Sequence, residues 1–158
     1  MHHLDKDDEP TGRSTGTDAG RSSVWVALDH VQLAMPTGGE VAARGFYVDR
    51  LGLVEVPKPQ RLAARGGCWF EAGSVRIHLG AEDDFRPARK AHPCVIVVGL
   101  RSFVERVGLE VRWSDEVPGI IRCHVDDVFG NRLELIDAES SGAVAGPTAG
   151  ATGAGGGA

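Results

Sequence analysis

Four side chains in this chain of 158 residues combine a metal-holding type with a strand-like apolar setting: His30, His78, His92 and Glu134. Each sits in, or begins, an apolar alternating run. The runs are Leu28-Asp29-His30-Val31-Gln32-Leu33, Val75-Arg76-Ile77-His78-Leu79, Ala91-His92-Pro93-Cys94-Val95-Ile96 and Arg132-Leu133-Glu134-Leu135-Ile136. Successive side chains of a strand point to opposite faces, so a polar residue between apolar ones faces solvent or a lined cleft. One strand histidine is more often exposed or hydrogen-bonded than a ligand. Four residues, all His or Glu, are the donor set of a nitrogen/oxygen site for a first-row divalent ion. Three imidazoles and a carboxylate disfavour Mg²⁺ and Ca²⁺, which prefer all-oxygen shells, and leave Fe²⁺, Mn²⁺, Zn²⁺ and Ni²⁺.

The elements that would position these donors repeat. Val24 to Met35 reads as a strand and Gly39 to Arg50 as a helix turning Val41, Phe46, Tyr47 and Leu51 inward. Short strands follow near Leu53 to Val56, Cys68 to Glu71 and Val75 to Gly80. The second pass has a strand at His92 to Val98, a helix at Leu100 to Val107 with Phe103, Val104 and Val107 inward, and strands near Glu110 to Ser114, Ile121 to Val125 and Arg132 to Asp137. The helix-to-strand junctions echo each other, Asp49-Arg50-Leu51-Gly52-Leu53 against Glu105-Arg106-Val107-Gly108-Leu109, each with glycine where a helix C-cap needs a left-handed residue. The expected fold is therefore α+β: paired βαβββ modules, about 24–80 and 92–138, forming a curled mixed sheet around a metal-binding cleft. His30 and His92 fall in the first strands of the two modules, His78 and Glu134 in the last. Val31, Leu33, Ile77, Leu79, Leu133 and Leu135 then pack under the helices, and the four donors point to the opposite face.

Residues 24–138 should form one domain, flanked by a disordered N-terminal tail, 1–23, and a disordered Gly/Ala-rich tail, 139–158, which have too few apolar side chains to offset ordering entropy. His2 and His3 lie in the first tail and are set aside as ligands. A net charge of −5 argues against a nucleic-acid partner, and no apolar run approaches the roughly 20 residues that span a bilayer. With no signal-peptide pattern, a cytoplasmic protein is expected. Cys68, Cys94 and Cys123 lack CxxC spacing and read as small buried hydrophobes. Phe85-Arg86-Pro87-Ala88-Arg89-Lys90 reads as a solvated loop, with a second reading as a cleft-mouth guide for an anionic substrate. Arg76 and Arg132 share strand parity with His78 and Glu134. Trp69, Phe70 and Trp113 read as core, with pocket lining as the alternative, and His124 as a surface or pocket residue.

On the segments Asp29-His30-Val31, Phe46-Tyr47-Val48-Asp49-Arg50-Leu51-Gly52-Leu53, Ile77-His78-Leu79, Ala91-His92-Pro93 and Asp127-Val128-Phe129-Gly130-Asn131-Arg132-Leu133-Glu134-Leu135-Ile136, the chain resembles the vicinal oxygen chelate superfamily. That superfamily includes glyoxalase I, extradiol dioxygenases, methylmalonyl-CoA epimerase and the fosfomycin and bleomycin resistance proteins. The resemblance implies that His30, His92 and Glu134 are metal ligands, as in the dioxygenase and fosfomycin-resistance branches. His78 stands where bacterial glyoxalase I has a glutamate and is either a fourth ligand, a base or a substrate contact. Glu134 and His78 are the candidate catalytic groups. Val128 replaces a proline usual in the family's turn. The implied function is metal-dependent chemistry of the lyase, isomerase or dioxygenase kind on a small oxygenated substrate. The alternative is non-catalytic sequestration of a drug or metabolite, as in bleomycin-resistance-like members. Relatives commonly join modules across a twofold axis, which implies a homodimer.

Overall fold

The computed structural model describes residues 24–143. The tail expectations and His2 and His3 lie outside the described residues, apart from a short turn-rich stretch after Asp137. Two four-stranded sheets form, each with the same strand order. The first holds β1 (Val31–Pro36), β2 (Val54–Val56), β3 (Cys68–Ala72) and β4 (Val75–Glu82) in the order β1-β4-β3-β2. The second holds β5 (Cys94–Val97), β6 (Arg112–Ser114), β7 (Arg122–Asp126) and β8 (Arg132–Asp137) in the order β5-β8-β7-β6. In each, the first and last strands pair in parallel and the remainder are antiparallel. A parallel pair needs a crossover, which the helices supply: α1 (Glu40–Arg44), running on into a π-helical stretch at Gly45–Arg50, and α3 (Leu100–Val107). This is the paired βαβββ arrangement expected from the sequence.

Apolar alternation builds the core. Leu33, Ile77, Leu79, Leu133 and Leu135 are buried together with Phe46, Tyr47, Phe70, Leu100 and Val104, in one cluster drawn from both modules. Gly52 (φ 80°) and Gly108 (φ 63°) take the left-handed conformation at the two helix ends, where a Cβ would be strained. Contacts also cross between modules. Arg50 donates to the Val107 and Gly108 carbonyls at the end of α3, and Asn131 Nδ2 donates to the Ala34 carbonyl at 2.8 Å. Within the second module Asp137 accepts the Leu100 N–H at 2.8 Å, holding the start of α3 against β8.

Three readings need correction. The first strand begins at Val31, not Val24, because its partner β4 begins only at Val75, and residues 24–28 have no strand beside them; Trp25 and Val26 are fully exposed. Val41 faces solvent, since α1 turns Ala43 to the core instead. A short helix, α2 (Gln60–Ala63), interrupts the first module after Pro59. No helix among the described residues is long and apolar enough to cross a membrane.

Candidate metal centre

Strand register lays the candidate donors out in two matched rows. In the first sheet Gln32 pairs with His78 and His78 with Trp69; in the second Cys94 pairs with Glu134 and Glu134 with His124. His30 and His92 each stand two residues before the first member of a row. The repeat thus equates His30 with His92, His78 with Glu134, and Trp69 with His124.

The structure brings the four predicted residues together as two pairs. His92 Nε2 lies 3.2 Å from Glu134 Oε2, and the His124 ring stands edge-on to His92 with centroids 5.4 Å apart. His92, His124 and Glu134 offer ligand atoms all within 4.8 Å of one another, the one such group of three or more among the described residues. On the first sheet His30 stacks on His78 and His78 on Trp69, both at 4.1 Å between centroids. His30 and His92 precede β1 and β5 instead of lying within them, and His30 Nδ1 meets Asp29 at 2.8 Å. Asp29 is also held by Arg76 at 2.7 Å.

The chemistry of the second-sheet group fits a cation. His92 Nδ1 lies 2.8 Å from the Lys90 carbonyl, which can only accept, so that nitrogen carries the proton. In the neutral ring the Nε2 lone pair then faces a carboxylate oxygen, and two acceptors at this distance need a proton or a metal ion between them. A backbone carbonyl fixing the distal N–H is also how metal-bound imidazoles are usually oriented. Glu134 is held on its other side by Arg122, 2.8 Å from Oε1, which is itself tied to Glu116 and Ser114. Desolvation pushes the Glu134 carboxyl upward, but a proton shared with His92 Nε2, together with the bond from Arg122, outweighs it and holds the group below the usual glutamate range. Burial lowers His124, as does the nearby His92, favouring the neutral, ligand-competent imidazole. His78 is lowered by burial and then by His30.

His124 is the residue that reading single runs missed. The signal lay in the repeat: the β7 position opposite Glu134 matches Trp69, and both point onto the donor face. Trp69 belongs to the cleft, whereas Phe70 is core and Trp113 lies under Arg101, 4.6 Å from its ring centroid. Cys94 is exposed on the donor face beside Glu134, unlike the buried Cys68 and Cys123.

Paired βαβββ modules with a His donor just ahead of each first strand and a His or Glu donor on each last strand define a protein of the vicinal oxygen chelate superfamily. The chain is 42% identical to a putative glyoxalase family protein from Bacillus anthracis, covering 73% of this chain and 98% of that one at a TM-score of 0.71. It belongs to the glyoxalase family. More distant solved structures share the fold: a lactoylglutathione lyase from Agrobacterium tumefaciens (18% identity, 70% of this chain and 92% of that chain, TM-score 0.52) and the fosfomycin resistance protein FosX from Listeria monocytogenes (13%, 72% and 94%, 0.53). No protein-family model matches the chain, and no curated protein matches it.

Proposed function

We propose that this chain is a divalent-metal-dependent enzyme of the glyoxalase/dioxygenase type, acting on a small oxygenated substrate by lyase, isomerase or dioxygenase chemistry. The convergence of His92, His124 and Glu134 within 4.8 Å carries the reading. Fe²⁺, Mn²⁺, Zn²⁺ or Ni²⁺ would suit two imidazoles and a carboxylate. When bound, such an ion supplies a Lewis acid that stabilises charge developing on substrate oxygen. His92, His124 and Glu134 would hold it, with Arg122 keeping Glu134 ionised and oriented. Glu134 is the carboxylate available to move a substrate proton. His30 and His78, stacked with Trp69, form the matching group on the first sheet, where His78 serves as a further ligand or as a base. Burial lowers the His78 imidazole and favours its neutral form, which suits either task.

A second reading, sequestration without turnover, is favoured by one observation: the stacked Trp69, His78 and His30 rings form an aromatic group on the donor face against which a ligand could pack. The test is elemental analysis of protein incubated with each of the four ions, then assay on thiol hemiacetals, catechols and epoxides. About one ion per chain, lost in Glu134→Ala, and turnover of one substrate class are expected. Only trace metal in the unaltered protein overturns the enzyme reading. Stoichiometric metal with tight binding and no turnover favours sequestration.

A further inference from the structure

Arg132 stands two residues before Glu134 on β8 and shares its face. Other arginines around the two donor walls have partners. Arg112 makes two bonds to Asp126, Arg122 bonds Glu134, Glu116 and Ser114, and Arg76 bonds Asp29. Arg132 is half-buried, its Nε is shielded from solvent without an acceptor, and no side chain among the described residues bonds its guanidinium. Its register partner across β7 is Asp126, whose two oxygens are both engaged by Arg112.

The surroundings are short of negative charge. Asp126 stands in register with Arg132 and takes two bonds from Arg112, so two guanidiniums share one carboxylate. The backbone keeps this arrangement in place: the Arg132 N–H donates to the Ala88 carbonyl at 2.8 Å, and Asn131 Oδ1 accepts the Ala88 N–H at 2.9 Å, fastening the loop that carries Arg89 beside the end of β8. The shielded Nε has no acceptor, while the terminal nitrogens, not shielded in this way and without a side-chain partner among the described residues, leave a fork that matches an oxyanion.

We propose that Arg132 anchors an oxyanionic group, carboxylate or phosphonate, on the ligand whose oxygens meet the His92–His124–Glu134 centre, so that the substrate is a small anion. The position of the ligand's other end rests on the metal-centre reading; the anion site itself stands on Arg132 and is testable without metal.

The experiment follows the Arg132 Nε–H resonance by ¹H–¹⁵N NMR in metal-free protein, the peak being assigned by its absence in Arg132→Gln. Succinate, methylphosphonate and neutral succinamide are titrated separately at low ionic strength. A saturable downfield shift with one or both anions and none with succinamide is expected, and the stronger response tells carboxylate from phosphonate. Backbone shifts around His124 should saturate at the same concentrations and require about ten-fold more anion in Arg132→Gln, the weight of a single charge-assisted bond. Should that variant fail to fold, Arg132→Lys, which keeps the charge but also lacks the Nε–H peak, supplies the assignment, and the unaltered protein's Nε–H shift then decides. No shift with either anion, or equal affinity in a folded Arg132→Gln variant, overturns the proposal. Metal content, measured separately, reports on the metal-centre reading alone.

Discussion

The Tyr47 hydroxyl, buried in the first module's helix, donates to Asp127 Oδ2 in the second module's turn at 2.8 Å. Asp127 also accepts from the Phe129 and Asn131 backbone N–H groups and from Asn131 Nδ2, so its carboxylate organises the Asp127-Val128-Phe129-Gly130-Asn131 turn and ties it to the other module. Burial and the Asp127 charge push the Tyr47 phenol far above its ordinary range, keeping it a donor.

Removing the hydroxyl leaves a buried carboxylate short of one bond. Tyr47→Phe should lose about 2 kcal/mol, the usual weight of a hydrogen bond to a charged group, and melt roughly 5 °C or more lower. Thermal denaturation checks this, and an unchanged midpoint would mean that the Tyr47–Asp127 bond contributes nothing to holding the modules together.

Acid stability should depend on Asp137. Its bond from the Leu100 N–H holds the carboxyl below the ordinary value of 3.8, with the Ser140 and Glu139 N–H groups contributing. A depressed folded-state value contributes stability that is present above pH 3.8 and lost as pH falls through the folded value. Asp137→Asn should therefore be less stable at neutral pH and show a shallower loss below pH 3.8 than the unaltered chain. Denaturant titrations at stepped pH give the comparison; parallel curves would remove Asp137 as the source.

The repeat equates His124 with Trp69 but assigns them different work. His124→Ala should lose bound divalent ion as completely as Glu134→Ala, whereas Trp69→Phe should keep it. His78→Ala separates the remaining alternatives: metal loss marks a ligand, and metal retention with lost turnover marks a base. Elemental analysis and rates on the same variants decide. Full metal retention in His124→Ala would show that the centre uses another donor.

We expect a homodimer. Strands β2 and β6 are sheet edges, and Val24, Trp25, Val26 and Leu28 are exposed ahead of β1, 72% to 101% accessible. Unpaired edges and clustered apolar side chains commonly find a second copy. Light scattering giving a monomer mass across micromolar concentrations would refute this.

Much of the fold was legible because local signals agreed. The Gly52 and Gly108 junctions, period-two alternation through β4 and β8, and the helix at Leu100–Val107 all stand where the pattern put them. What failed was set by partners distant in sequence. Val24 to Leu28 have strand-like composition, but β4 starts too late to pair with them. Val41 follows helical spacing, yet Ala43 is the residue its neighbours cover. For the candidate site, strand direction was readable from alternation, whereas the pairing of His124 with Glu134 depends on the register between β7 and β8, which single runs do not encode.

β8 comes last of the strands in sequence yet lies between β5 and β7. Until it is in place β5 has no neighbour, and His92 and His124 share no carboxylate, because Glu134 arrives 42 residues after His92. Long-range parallel pairing of this kind forms slowly. A chain emerging from the ribosome would therefore pass through a state in which half of its second sheet waits, and its donors remain apart until folding is nearly complete. An ion that binds only the assembled trio would act as a latch on the finished protein, slowing its unfolding without guiding the earlier steps.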